Sequence, residues 1–257
     1  MPESDRSAVA LVAVGTLLLA TPAFADFSDL RITEVWPGGL DGDENTHDWI
    51  ELTNLGSDTI IGIDGLHYRD SPVPDAVPDG AFLNGGELTG VAELLPGESA
   101  VFLISWVDPL GFNPAPTLSE AIEAFNAMWG FSPGDIKLGY MLDGDDPESG
   151  GPGLSRNGDS VILYGGDLTG SPIVDAVTFP VSDRASYIYN PVTEAFGGLA
   201  EVDVFGARAG LLAASDAIPG GLPPIGSPGV VPEPAGVALI GVGLSVLARR
   251  PARSPHE

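Results

Sequence analysis

In the middle of this chain apolar residues recur at every second position, in short runs parted by Gly, Pro, Asn and Asp. Period two is the pleat of a β-strand, whose successive side chains point to opposite faces. Leu30-Arg31-Ile32-Thr33-Glu34-Val35 is the first such run. His47-Asp48-Trp49-Ile50-Glu51-Leu52-Thr53-Asn54 alternates better, with Ile50 and Leu52 on one face and Trp49 and Glu51 on the other. Asn54-Leu55-Gly56-Ser57-Asp58 supplies a turn, and the short stretch 59–63 is β-branched. The turn Pro96-Gly97 precedes a continuous apolar run at 99–106, which predicts a central, buried strand. Residues 160–164 and 173–179 predict two more strands, joined as a hairpin through 165–170. One segment has helical period instead. Thr117-Leu118-Ser119-Glu120 is a capping box, Ile122, Phe125 and Trp129 share one face, and Gly130 can stop the helix. It is expected to lie as a lid across one open end of a β-sandwich, its aromatic stripe part of the core.

The two ends have a different texture. Residues 8–20 read AVALVAVGTLLLA, the length of a signal-peptide apolar region and too short for a stable span. Ala23-Phe24-Ala25 follows as a small-x-small site, so cleavage is expected after Ala25. At the other end, Pro232-Glu233-Pro234 precedes an apolar run at 235–248 and then Arg249-Arg250. Arginines after such a run stay on the cytoplasmic side and halt translocation. Gly236, Gly241 and Gly243 give the run a small-residue face that another helix can approach closely.

Composition narrows the function classes. With 44% hydrophobic residues over 257 positions, one sizeable core is possible. Gly 35 and Pro 24, scattered between the apolar runs, suit many short strands and turns. The formal charge of −26 repels phosphate backbones and argues against nucleic-acid binding. The absence of cysteine removes thiol catalysis, Cys-based zinc sites and disulfides together. Of the three histidines, His47 and His67 fall near strand ends and His256 in the tail, and no spacing suggests a catalytic triad. Neither a Gly-x-Ser-x-Gly elbow nor a phosphate-binding loop is present, so no enzyme is expected.

Acidic loops are the remaining lead. Asp41-Gly42-Asp43-Glu44-Asn45 and Asp143-Gly144-Asp145-Asp146, with Glu148 close by, crowd oxygen ligands into short stretches. Their simpler reading is two solvated acidic turns. The alternative is weak calcium binding through Asp41, Asp43, Asn45, Asp143, Asp145 and Asp146, in the millimolar range of extracellular modules. The first is no EF-hand, because Thr46 takes the place of the turn glycine and Leu52 that of the closing glutamate. Glu51, inside an apolar strand, could be a catalytic acid only with a partner carboxylate; otherwise it accepts backbone or hydroxyl hydrogen bonds between strands.

Two family resemblances organise these parts. Val231-Pro232-Glu233-Pro234, the apolar run and Arg249-Arg250 together resemble a PEP-CTERM sorting signal. That resemblance implies recognition by an exosortase in the membrane, removal of the tail near Pro-Glu-Pro, and a place at the surface or among exopolysaccharide. Asp48-Trp49-Ile50-Glu51-Leu52-Thr53-Asn54, with 30–35, Leu95-Pro96-Gly97-Glu98, 154–161, 174–179 and Ile225-Gly226-Ser227-Pro228-Gly229, resembles the lamin-tail domain. That resemblance implies an immunoglobulin-like sandwich, with the helix and 130–153 as insertions.

The expected fold class is therefore all-β: an immunoglobulin-like β-sandwich with one inserted α-helix, an N-terminal signal helix and a C-terminal membrane helix. The expected organisation is a signal peptide at 1–25, a lamin-tail-like sandwich at 26–212, a Pro/Gly linker at 213–230 and a sorting tail at 231–257. The expected function is an exported cell-surface or extracellular-matrix structural or interaction module, processed by an exosortase. A calcium-dependent carbohydrate-binding module of the cell envelope is the alternative. Expected partners are the secretion machinery and exosortase, the membrane through the C-terminal segment, and exopolysaccharide or surface proteins.

Overall fold

The computed structural model describes residues 26–38, 48–70, 85–105, 117–142, 153–166, 171–182, 185–190, 193–211 and 223–230. In chain order these form β1 (Leu30–Trp36), β2 (Asp48–Asn54), β3 (Ile60–Ile61), β4 (His67–Asp70), β5 (Gly85–Thr89), β6 (Glu93–Leu94) and β7 (Ser99–Ser105). Then come α1 (Leu118–Trp129), β8 (Lys137–Leu142), β9 (Asp159–Tyr164), β10 (Ile173–Phe179), β11 (Tyr187–Asn190), β12 (Ala195–Leu199), β13 (Arg208–Ala209) and β14 (Ile225–Gly226). The described chain is thus all-β with one helix, as the period-two pattern predicts.

Ten strands make one sheet in the order β10-β9-β4-β5-β8-β7-β2-β1-β11-β12. Neighbours are antiparallel except β7 and β8, which run parallel. The sheet folds over on itself. Leu30, Ile32, Ile50, Leu52 and Phe102 from one half share a core with Tyr68, Leu163, Val177 and Phe179 from the other. A bulge after Ile32 turns its amide toward β10, where it donates to Asp175 Oδ2 at 2.8 Å. Ile50 and Leu52 face this core while Trp49 faces away, as their alternation predicts. The run at 99–105 is central, between β2 and β8.

Three expectations differ from the structure. The stretch 130–153 is not simply inserted, because β8 lies mid-sheet between β5 and β7. Gly139 hides this strand in the sequence by interrupting its alternation. A Cβ there would fall 2.5 Å from the Phe102 ring, so the packing of that ring excludes a side chain. Second, α1 is no lid over an open end. Ala121, Phe125, Met128 and Trp129 pack on the outward face of β1, β2 and β7, against Trp36, Trp49, Val101 and Leu103. That face is apolar because it bears two tryptophans: Trp129 meets Trp36 and Trp49 edge-on, each at 6.0 Å between ring centres. The capping box forms as the sequence predicts, and Gly130 ends the helix at φ 70°, a left-handed conformation favoured by glycine.

Third, part of the expected linker is folded. Residues 223–230 form a closing strap over the same outward face, beside α1. Within it β14 pairs with β13, Gly210 N–H donates to Pro224 O at 2.8 Å, and Leu211 N–H donates to Met128 O at 2.8 Å. The remainder of that stretch, 213–222, lies outside the described residues.

Candidate functional site: a buried carboxyl pair beneath the closing strap

The outward face of β1, β2 and β7 is divided. Under α1 it is aromatic and aliphatic; under the strap it is polar, with Thr33 and Glu34 on β1, Glu51 and Thr53 on β2, and Ser99 on β7, all buried. Glu34 and Glu51 are direct cross-strand partners, each only 1% exposed. Like charges directly opposite on a sheet repel, and burial strips them of water.

Hydrogen-bond donors converge on the pair from three elements. Glu34 Oε1 accepts from Ser186 Oγ, just before β11, and from Ser227 N–H of the strap at 2.7 Å. Glu34 Oε2 accepts from Ser227 Oγ at 2.8 Å. Glu51 Oε2 accepts from Gly229 N–H at 2.6 Å, and Glu51 Oε1 from Thr33 Oγ1 at 2.7 Å. Thr33, Thr53 and Ser99 then form a hydroxyl ladder across β1, β2 and β7, with oxygens 2.7 and 2.6 Å apart. Gly226 lets the strap come this close: a Cβ there would lie 2.8 Å from the Trp129 ring and 2.9 Å from Glu34 Oε1.

Burial drives the Glu34 carboxyl up to about 7, against the opposing effect of its Ser186 and Ser227 donors. Glu51 is also pushed well above the ordinary glutamate range, first by burial and then by Glu34. At neutral pH the pair therefore holds a proton that exposed glutamates would have lost. Chemically it is a clamp for backbone amides and hydroxyls. Glu51 plays the hydrogen-bonding role its place in an apolar strand suggests. Glu34 is its partner, and the sequence signal for it is an acidic residue inside the first alternating run.

A second group of carboxyls lies at the ends of three strands. Asp48 opens β2, Asp70 closes β4 and Asp159 opens β9. Asp48 Oδ2 accepts the Leu154 amide, and Asp159 Oδ2 accepts the adjacent Ser155 amide at 2.8 Å. Burial lifts Asp48 to about 8, with the charges of Asp70 and Asp159 adding to it. Burial and the Asp159 carboxyl lift Asp70 to about 7. Tyr68, fully buried, feels all three carboxyls, and its hydroxyl has no hydrogen-bond partner among the described residues. Among the described residues no three acidic or histidine side chains are grouped so as to hold a metal ion.

Asp41, Asp43, Asn45, Asp143, Asp145 and Asp146 lie outside the described residues, as do Ala23, Ala25, Pro232, Glu233, Pro234, Arg249 and Arg250. His67 Nδ1 lies 3.1 Å from Gly65 O, a local turn contact. No helix among the described residues is long and apolar enough to cross a membrane.

No family model and no curated protein matches the chain. One similar solved structure is a DUF4876 family protein from Bacteroides thetaiotaomicron, 14% identical, with a TM-score of 0.31. The match covers 53% of this chain and 42% of that one.

Proposed function

We propose that this chain is an exported, non-enzymatic module of the cell envelope, with a body of the immunoglobulin-like, lamin-tail type. Its tail at 231–257 serves as a sorting signal cut by an exosortase, leaving the body at the surface or in the extracellular matrix to contact protein or exopolysaccharide. The observation that carries this reading is the junction between strap and tail. Gly229 N–H is bonded to Glu51, and Val231-Pro232-Glu233-Pro234 begins immediately after Val230. A folded body whose last element is pinned to its own sheet, followed at once by a Pro-Glu-Pro motif and an apolar run, suits a tail that is removed without loss of the fold. The test is the intact mass of protein recovered from separated medium, outer-membrane and inner-membrane fractions. A species lacking both 1–25 and the residues beyond Pro232 is expected. A full-length tail with Arg249 and Arg250 retained in the inner membrane would make it a plain anchor and overturn the sorting reading.

A calcium-dependent carbohydrate-binding role remains as the second reading, favoured by topology. The strand directions bring the end of β1, the start of β2, the end of β8 and the start of β9 to one end of the sheet. The two acidic connections, 39–47 and 143–152, therefore depart from the same end. Glycan binding that disappears with a chelator would support it; isothermal titration without heat at several millimolar calcium would remove it.

A further inference from the structure

We propose that the closing strap is a reversible latch, held on the sheet while the Glu34–Glu51 pair keeps a proton and released when both carboxyls are ionised. This stands on the geometry of the clamp and not on whether the tail is cut.

The strap reads Pro-Pro-Ile-Gly-Ser-Pro-Gly-Val and carries no charged side chain. It brings to the pair only neutral dipoles: the Ser227 amide, the Ser227 hydroxyl and the Gly229 amide. Such donors stabilise one buried negative charge, and a shared proton keeps the second from forming. The hydroxyl ladder suits either state, since Thr33, Thr53 and Ser99 can each donate or accept along it.

Among the described residues, the cations on the elements around the pair are engaged elsewhere. On β1, Arg31 is turned to Leu30 O. On β8, Lys137 is paired with Glu98 at 2.7 Å. On β13, the Arg208 guanidinium lies over the Phe131 ring. The α1 acids Glu120 and Glu123 are exposed, and the helix meets the strap through Trp129. Around the pair, β2 and β7 contribute the hydroxyls of Thr53 and Ser99, and Ser186, just before β11, contributes its own.

With both carboxyls ionised, two like charges are buried face to face with no cation bonded to either among the described residues. Lifting the strap admits water to them. The remaining ties of the strap are the pairing of β14 with β13, Ser186 N–H to Ile225 O at 2.9 Å, Gly210 N–H to Pro224 O, and apolar contacts of Ile225 with the cluster of Ala185, Ile188, Ala200 and Ala207 and of Gly226 with Trp129. Release would free eight residues, extending the connection from the body to residue 231 by roughly 27 Å.

Hydrogen exchange on the full chain at pH 5 and pH 9, corrected for intrinsic rates, tests this. The Ser227 and Gly229 amides are expected to lose at least tenfold protection at pH 9, while amides of central β7 stay protected. Glu51→Gln, which keeps the acceptor and removes the titration, is expected to hold the strap at both pH values. Glu34→Gln serves as a second variant should the first fold poorly. Equal strap protection at both pH values would overturn the latch. So would loss of β7 protection together with the strap, which would mean global unfolding. A Gln variant as pH-sensitive as the natural chain would overturn it as well.

Discussion

At the scale of single residues, the energetics turn on carboxyls buried without cations. Replacing Glu51 by Ala strands the Gly229 amide and leaves the Thr33 hydroxyl only Thr53 as partner, and a stranded buried donor costs about 1–3 kcal/mol. Glu51→Gln keeps an acceptor for them and should be close to neutral at pH 5. Urea denaturation of the two variants at that pH should therefore differ by about 1–3 kcal/mol, with Ala the weaker. Asp48 makes a separate pH prediction. Its carboxyl is raised from 3.8 to about 8, so the folded state keeps a proton that the unfolded chain gives up. The stability this contributes is complete below pH 3.8 and is lost as pH climbs through 8. Glu34, raised from 4.5 to about 7, acts in the same direction. The melting temperature should fall between pH 5 and pH 9. Asp48→Asn, which keeps an acceptor for the Leu154 amide, should raise it at pH 8 and flatten that slope. A steeper fall in the variant would show that another group dominates.

At the scale of elements, the outward face of the sheet is covered by two pieces that need each other. The helix supplies Trp129 as the wall against which Gly226 sits, and the Leu211 amide ties the end of the helix to the chain leaving β13. Trp129→Ala should cost about 3–5 kcal/mol, as large-to-small core changes do. It should also loosen the strap, which truncating a helix residue remote from it would not do. Trp129→Phe should cost much less, because the indole N–H it removes has no hydrogen-bond partner among the described residues. Thr117→Ala, at the N-cap, should cost about 1 kcal/mol and leave strap exchange unchanged. Chemical denaturation with exchange read at the strap checks all three. The helix and β1, β2, β7, β9 and β10 were legible because their local pattern agrees with their tertiary role. β8 was not, because Gly139 answers to the Phe102 ring and not to its own strand. The strap was not either: Pro and Gly normally mark a linker, and here they serve close approach to a carboxyl pair 193 residues away in sequence. Alternation locates Glu51 on a face, but only long-range pairing shows what covers that face.

At the scale of the whole molecule, the charge of −26 and the buried carboxyls act together. With 36 Asp and Glu against 10 Lys and Arg, most acids can have no partner of opposite sign; among the described residues Lys137 pairs with Glu98 at the surface. Self-repulsion of this kind opposes the compact state and is weakened by salt, whose screening length is about 10 Å at 0.1 M and 3 Å at 1 M. Raising sodium chloride from 0.05 to 1 M at pH 8 should therefore lift the melting temperature by several degrees. A general strengthening of apolar burial by salt would do the same at any pH. The two causes separate at pH 4.5, where much of the surface charge is neutralised and the buried pair keeps its proton. If repulsion is the cause, the salt effect should shrink by more than half there. An equal rise at both pH values would assign the effect to burial, and the acidity of this chain would then concern solubility and partners, with little bearing on the stability of its fold.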